Sequence, residues 1–189
     1  MKIVIIGIRG TGKTTLAQTL EKRLNIDVLH VDKYIWDENW ILCDKTQATR
    51  GIIQELDSKK DWIFEGNFTY VVDYLFKNAD VILYLDYSGI EAAIGCLRRW
   101  WKERQSSRAG FDGKKPQKLE FQYLIRKALL KENRRKIEEA IEEYKPKNVK
   151  RFKNRGELNK FLKQTQLNFS SNIPPSTSWF DKLTTSQDK

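Results

Sequence analysis

A chain of 189 residues is long enough for one α/β domain with a sizeable core, and two domains would be cramped. At 40% apolar and 32% charged it holds no run near the ~18 apolar residues a membrane-spanning helix needs. The formal charge is +10, and the stretch from Arg98 to Lys136, with 14 Lys and Arg against 4 Asp and Glu, carries all of it. A basic excess confined to one region points to an anionic ligand there, phosphates or nucleic acid, with a solvated helical face as the plain alternative.

The first apolar run, Ile3–Ile6, stops at Gly7, short of the ~7–15 residues of a signal sequence. Lys2–Ile6 is β-branched and bounded by glycine, so it reads as a buried parallel strand. Thr14–Leu24, with Leu16, Leu20 and Leu24 at i, i+4 and i+8, reads as an amphipathic helix. A second strand is expected at Asp27–Val31, a helix at Thr46–Leu56, a third strand at Asp61–Phe64 and a fourth at Asp80–Leu85. Ile90–Lys102 is a predicted helix with Ala93, Ile94, Leu97 and Trp101 inward. Gly110, Gly113 and Pro116 make 105–118 a loop or flap, followed by a long helix to Tyr144, a fifth strand at Asn148–Phe152 and a closing helix at Glu157–Leu162. The domain is thus expected to span residues 1–163. From Gln164 to Lys189 the composition turns polar, and this tail is expected to be disordered or loosely packed. Cys43 and Cys96 stand far apart in no metal-binding spacing and read as reduced structural thiols of a cytoplasmic protein.

Strands alternating with helices imply a parallel sheet with helices on both faces, and ligands of such sheets sit beyond the carboxyl ends of the strands. After the first strand comes Gly7-Ile8-Arg9-Gly10-Thr11-Gly12-Lys13-Thr14, a full match to the phosphate-binding pattern G-x-x-x-x-G-K-[ST]. The glycines let backbone N–H groups converge on a triphosphate, Lys13 supplies a point charge to it, Thr14 offers a hydroxyl to Mg²⁺, and the helix adds its positive end. Gly7, Gly10, Thr11, Gly12, Lys13, Thr14 and Thr15 are therefore the expected nucleotide contacts, with ATP and Mg²⁺ as cofactors.

After strand two, Asp32 is placed to hold or deprotonate an acceptor hydroxyl, or to cap a helix. Trp36 and Trp40 beside it can wall a pocket or fill the core. His30 lies within the strand and reads as a packing residue. After strand three, Glu65 is placed to hold a metal-bound water, Gly66 permits close approach and Asn67 can hydrogen-bond a ligand. Asp86, after strand four, is a second candidate for the acidic metal partner, with capping of the next helix together with Ser88 as the preferred reading.

These residues resemble the adenylate-kinase-like P-loop proteins, and within them the branch known as DNA topology modulation proteins. The resemblance rests on the P-loop, on Val31-Asp32-Lys33-Tyr34-Ile35-Trp36 with Trp40, on Trp62-Ile63-Phe64-Glu65-Gly66-Asn67-Phe68, on Ala79-Asp80 through Asp86, and on Leu97-Arg98-Arg99 with Arg108. It runs to about Leu162. The family's Asp before Gly-Asn is Glu65 here, one methylene longer.

The resemblance implies a three-layer P-loop NTPase sandwich, a five-stranded parallel sheet flanked by helices, with an arginine-containing lid. It implies that Lys13 and Thr14 bind triphosphate and Mg²⁺, that Glu65 shares the metal, and that Asp32, Trp36, Gly66 and Asn67 face the acceptor. Arg98 and Arg108 would clamp the transferring phosphoryl group, with Arg99 a further candidate. The expected activity is phosphoryl transfer from ATP to a small acceptor, a nucleotide or nucleoside, without membrane association. The rivals are an ATP-gated regulatory protein whose 98–136 segment binds nucleic acid or a partner, and a kinase for a sugar or small acid.

Overall fold

The structure, a computed structural model, describes residues 1–37, 39, 41–66, 68–103 and 131–169. Five strands, β1 (Lys2–Gly7), β2 (Val28–His30), β3 (Trp62–Glu65), β4 (Val81–Leu85) and β5 (Val149–Phe152), form one parallel sheet in the order β2-β3-β1-β4-β5. The P-loop strand β1 is central. Its apolar run is continuous because both of its faces are covered. Ile3 and Ile5 point to the face packed by α1 (Lys13–Leu24) and the final helix, together with Leu16, Leu20, Leu83 and Leu158. Val4 and Ile6 point to the other face, with Phe64, Tyr84, Ile52, Leu75 and Ile137.

That second face is covered by α2 (Asp32–Ile35), α3 (Lys45–Asp57), α4 (Val72–Asn78), α5 (Gly89–Glu103) and α6 (Lys131–Tyr144). The last helix, α7, runs Arg155–Phe169. It continues past Leu162, the expected end of the closing helix, so that residues 164–169 of the expected tail are helical, while residues 170–189 lie outside the described residues. The 105–118 loop also lies outside them, as do Trp40, Asn67 and Arg108. Sequence reading missed α2, α4 and the 3-10 turn Phe68–Tyr70, all too short to show a sustained period.

Two expectations are corrected. Helix α5 is rotated relative to its predicted orientation. Ala92 and Cys96 are buried, Ala93 and Trp100 pack at the edge of the core, and Ile94, Leu97 and Trp101 are exposed. The cause is a backbone contact: a Cβ on Gly95 would stand 2.0 Å from the Gly10 carbonyl oxygen, and one on Gly10 would stand 2.1 Å from that of Ala92. Helix and P-loop approach so closely that only the glycine-bearing face of α5 fits against the loop.

Asp86 does not cap α5. Ser88 does, its Oγ accepting the Glu91 N–H at 3.1 Å. Asp86 is a buried carboxylate held by Arg134 Nε at 3.0 Å, Arg151 Nη1 at 3.4 Å and Lys153 Nζ at 2.6 Å. Arg134 also donates to the Tyr87 carbonyl. These ion pairs tie the start of α6 and the end of β5 to the end of β4. A carboxylate so enclosed by three cations is committed to structure, and breaking such a buried cluster is costly.

Candidate active site

Residues that meet at the carboxyl ends of β1, β2 and β3 are brought there by register. In the parallel pairs, Ile5 stands beside Glu65 and Glu65 beside His30, so these three side chains share one face of the sheet. That face carries α1, which begins directly after the P-loop. Thr14 therefore comes over Glu65, and its Oγ1 donates to Glu65 Oε1 at 3.2 Å. His30 Nδ1 lies 3.2 Å from Glu65 Oε2. Both carboxylate oxygens are engaged, and the carboxylate is held across the mouth of the loop.

The loop itself is shaped by glycine and by an internal hydrogen bond. Gly10 and Gly12 have φ of +88° and +91°, a region that other residues rarely adopt. Thr11 is buried, and its Oγ1 donates to the Ile8 carbonyl at 2.9 Å, closing the turn. Lys13 Nζ donates to the same carbonyl at 3.1 Å. Thr15 is exposed on the first turn of α1. Gly7 leads from β1 into the loop at φ +154°.

Burial lowers the Lys13 ammonium below its ordinary value; the Glu65 and Asp32 charges oppose the shift, and the Arg9 and Arg99 charges reinforce it. For Glu65 the balance falls the other way. Burial alone would raise the carboxyl, but the His30 hydrogen bond, the Lys13 charge and the Thr14 hydroxyl together hold it below its usual range. A further cation stands at the loop: the Arg155 guanidinium lies near Gly12 and Gly95, with a Cβ on Gly95 3.2 Å from its Nη2. Its backbone N–H is fixed by Glu91 Oε1 at 3.1 Å. Lys13 and Arg155 thus stand at the P-loop, and the charges of Arg9, Arg99, Glu65 and Asp32 all lie within electrostatic reach of Lys13.

The predicted acceptor-side residues separate. Asp32, the first residue of α2, lies within electrostatic reach of Lys13. Gly66 has φ +136°, and a Cβ there would stand 2.1 Å from Val31 Cγ1, so the chain leaving β3 passes tight against the end of β2. Trp36 packs on the core and bridges Leu42. Of the two neighbouring arginines, Arg98 is exposed, whereas Arg99 sits on the inner face of α5 with a buried Nη2 and acts on Lys13. The 100° step between successive helical residues decides which one faces the loop. Of the 98–136 basic segment, residues 104–130 lie outside the described residues, while Arg134 is engaged by Asp86 and Arg135 by Glu139.

His30, Arg9 and Arg155 were not singled out as site residues from sequence. The register of β2 on β3 brings His30 to Glu65, and nothing local in the sequence marks Arg155, which arrives from the far end of the chain. Thr14 and Glu65 offer hard oxygen donors side by side, a set that fits Mg²⁺, which takes one or two protein oxygens and completes its shell with water and phosphate. Among the described residues no group of three or more His, Cys, Asp or Glu forms a metal cluster, and no helix is long and apolar enough to cross a membrane.

Comparison with known proteins agrees with this architecture. Solved structures share the fold at low identity. A deoxyadenosine kinase from M. mycoides, with products dCMP and a flexible dCDP bound, superposes with a TM-score of 0.53 at 15% identity, covering 90% of this chain and all of that one. A shikimate kinase from Acinetobacter baumannii, in complex with shikimate, gives 0.54 at 17% identity, covering 92% and 95%. No curated protein matches the sequence. The family model AAA_18, described as an AAA domain, matches residues 3–108, from β1 through the P-loop and the whole of α5, more than half of the chain. The chain belongs to the AAA_18 family.

Proposed function

We propose that this protein is an ATP-dependent phosphotransferase that moves the γ-phosphoryl group of ATP to a small acceptor, a nucleotide or nucleoside. The observation that carries the reading is the cluster of Lys13, Thr14 and Glu65, with Asp32 at the neighbouring strand mouth within reach of the Lys13 charge. A binding switch needs the loop and a metal partner; we read the second carboxylate, within electrostatic reach of Lys13, as the group that phosphoryl transfer adds. The likeness in fold to proteins that act on deoxynucleosides and on shikimate supports a small acceptor.

In this reading the P-loop amides and Lys13 hold the β- and γ-phosphates, and Thr14 and Glu65 hold Mg²⁺. The metal, when bound, neutralises charge on the phosphate oxygens. With a nucleoside acceptor, Asp32 accepts the proton of the hydroxyl as its oxygen attacks the γ-phosphorus and the bond to the β-phosphate oxygen breaks, releasing ADP; with a nucleotide acceptor the attacking oxygen is that of its ionised phosphate, and Asp32 orients the acceptor. Arg9, Arg99 and Arg155 offset the charge of the phosphates. Phosphoryl transfer depends on such positioning and neutralisation more than on covalent help.

A screen of ADP release with purified protein across nucleosides, nucleoside monophosphates, sugars and small hydroxy acids tests the reading. One acceptor class should raise ADP release well above the acceptor-free rate. Asp32→Asn should reduce that stimulated rate by about 10²–10⁴-fold while leaving ATP affinity within a few-fold. ATP binding with no acceptor stimulation across the panel would overturn the transfer reading and favour the ATP-gated regulatory one.

A further inference from the structure

Helix α5 carries two apolar faces, and among the described residues only one is covered. Its inner face, Ala92, Gly95, Cys96 and Arg99, lies against the P-loop and core. On the opposite side Ile90, Ile94, Leu97 and Trp101 are exposed at 71%, 45%, 42% and 65%. Their spacing of i, i+4, i+7 and i+11 gathers them within about 60° of the helix circumference. A stripe of two isoleucines, a leucine and a tryptophan amounts to a few hundred Å² of contiguous apolar surface, the scale at which exposure marks an interaction site.

From this stripe we infer that the outer face of α5 is a homodimer interface, in which two copies of the helix pack antiparallel about a two-fold axis passing between Ile94 and Leu97. Three observations single out a second copy as the occupant. The stripe alternates steps of four, three and four residues, the seam that lets two helices interlock. It is palindromic under an antiparallel two-fold: Ile90 meets Trp101 of the second copy, and Ile94 meets its Leu97, so each large residue finds an apolar partner.

The flanking charges agree. Glu91, with one carboxylate oxygen on the Arg155 N–H, and Arg98 line one border of the stripe seven residues apart, and the antiparallel arrangement brings the Glu91 charge of each copy towards Arg98 of the other. A parallel arrangement lacks this match. The area per copy falls below the ~800 Å² of a standard interface, so the dimer is expected to be a weak, reversible one.

Sedimentation equilibrium of the full chain from about 1 to 100 µM tests the inference. A concentration-dependent dimer is expected. Ile94→Glu and Trp101→Glu should each weaken it at least ~10-fold, as loss of a central apolar anchor does. Arg98→Glu, at an exposed polar position, should weaken it several-fold, and it carries the test if an apolar substitution impairs folding as judged by circular dichroism. Ile41→Glu, on an exposed apolar residue of another loop, should change nothing. A chain that stays monomeric to 100 µM overturns the inference. So does a dimer indifferent to the α5 substitutions, or one that Ile41→Glu disrupts equally.

Discussion

Thr14 Oγ1 donates to Glu65 Oε1 at 3.2 Å, linking the last residue of the P-loop motif to the last residue of the neighbouring strand. Glu65→Gln keeps the size of the side chain and removes its charge. In the phosphotransferase reading, turnover should fall on the order of 10²-fold, and the Mg²⁺ concentration for half-maximal ADP release should rise. An unchanged Mg²⁺ requirement would remove Glu65 from the metal site. The substitution also has a pH signature. The folded Glu65 carboxyl titrates below its ordinary value of 4.5, so the unfolded chain takes up this proton first. Its stabilising contribution is complete above 4.5 and is lost as the pH falls through the lower folded value. Thermal melts should therefore show Glu65→Gln less stable than wild type at neutral pH, with the gap closing in acid.

Lys13 carries the opposite sign. Burial lowers its ammonium, so the protonated form costs the folded state stability at neutral pH. Lys13→Met should abolish ATP turnover and yet raise the melting midpoint of the ligand-free protein. A calorimetric scan without nucleotide checks it; a lower midpoint would show that the cost of the buried charge has been misjudged.

Arg98 and Arg99 are adjacent in sequence and face different surroundings. Arg99→Ala should lower kcat by 10²-fold or more, because its charge acts at the P-loop. Arg98→Ala, on the exposed face, should change kcat by only a few-fold. Steady-state kinetics on the two single variants decide this, and equal effects would contradict the orientation of α5.

Gly95→Ala sets two effects against each other. Alanine in place of glycine within a helix gains about 1 kcal/mol in propensity. Here the new Cβ would lie 2.0 Å from the Gly10 carbonyl oxygen, a backbone contact that neither the helix nor the loop can relieve without moving. The clash should win. The variant should melt lower than wild type and bind ATP more weakly, by calorimetry and by equilibrium titration respectively. A stabilised variant with unchanged affinity would mean that loop and helix are less tightly apposed.

Much of this was legible because it is local. The strand–loop–helix around Gly7–Thr14 needs only a β-branched run, glycines at three points and a helical period after Lys13, all within two dozen residues. The alternation of strands and helices carried the parallel sheet, and the position of Glu65 and Asp32 just after strands three and two put them at the end of the sheet where the P-loop lies. The orientation of α5 was not legible. Its sequence presents Ala92 and Cys96 on one side and Ile90, Ile94, Leu97 and Trp101 on the other, and periodicity cannot choose between two apolar faces.

By itself, then, the sequence determined a central P-loop strand, a parallel α/β architecture and a phosphate cradle with carboxylates nearby, because each is written in the spacing of neighbouring residues. Only the tertiary structure decided which residues complete the site. The register of β2 on β3 set His30 against Glu65. The contact of Gly95 with Gly10 turned Arg99 inward and Arg98 outward. The return of β5 brought Arg155 to the loop, and ion pairs tied Asp86 to α6 and to the end of β5. Each depends on contacts between residues distant in the chain, where a shift of one residue in a strand or 100° in a helix exchanges the side chain that faces the ligand.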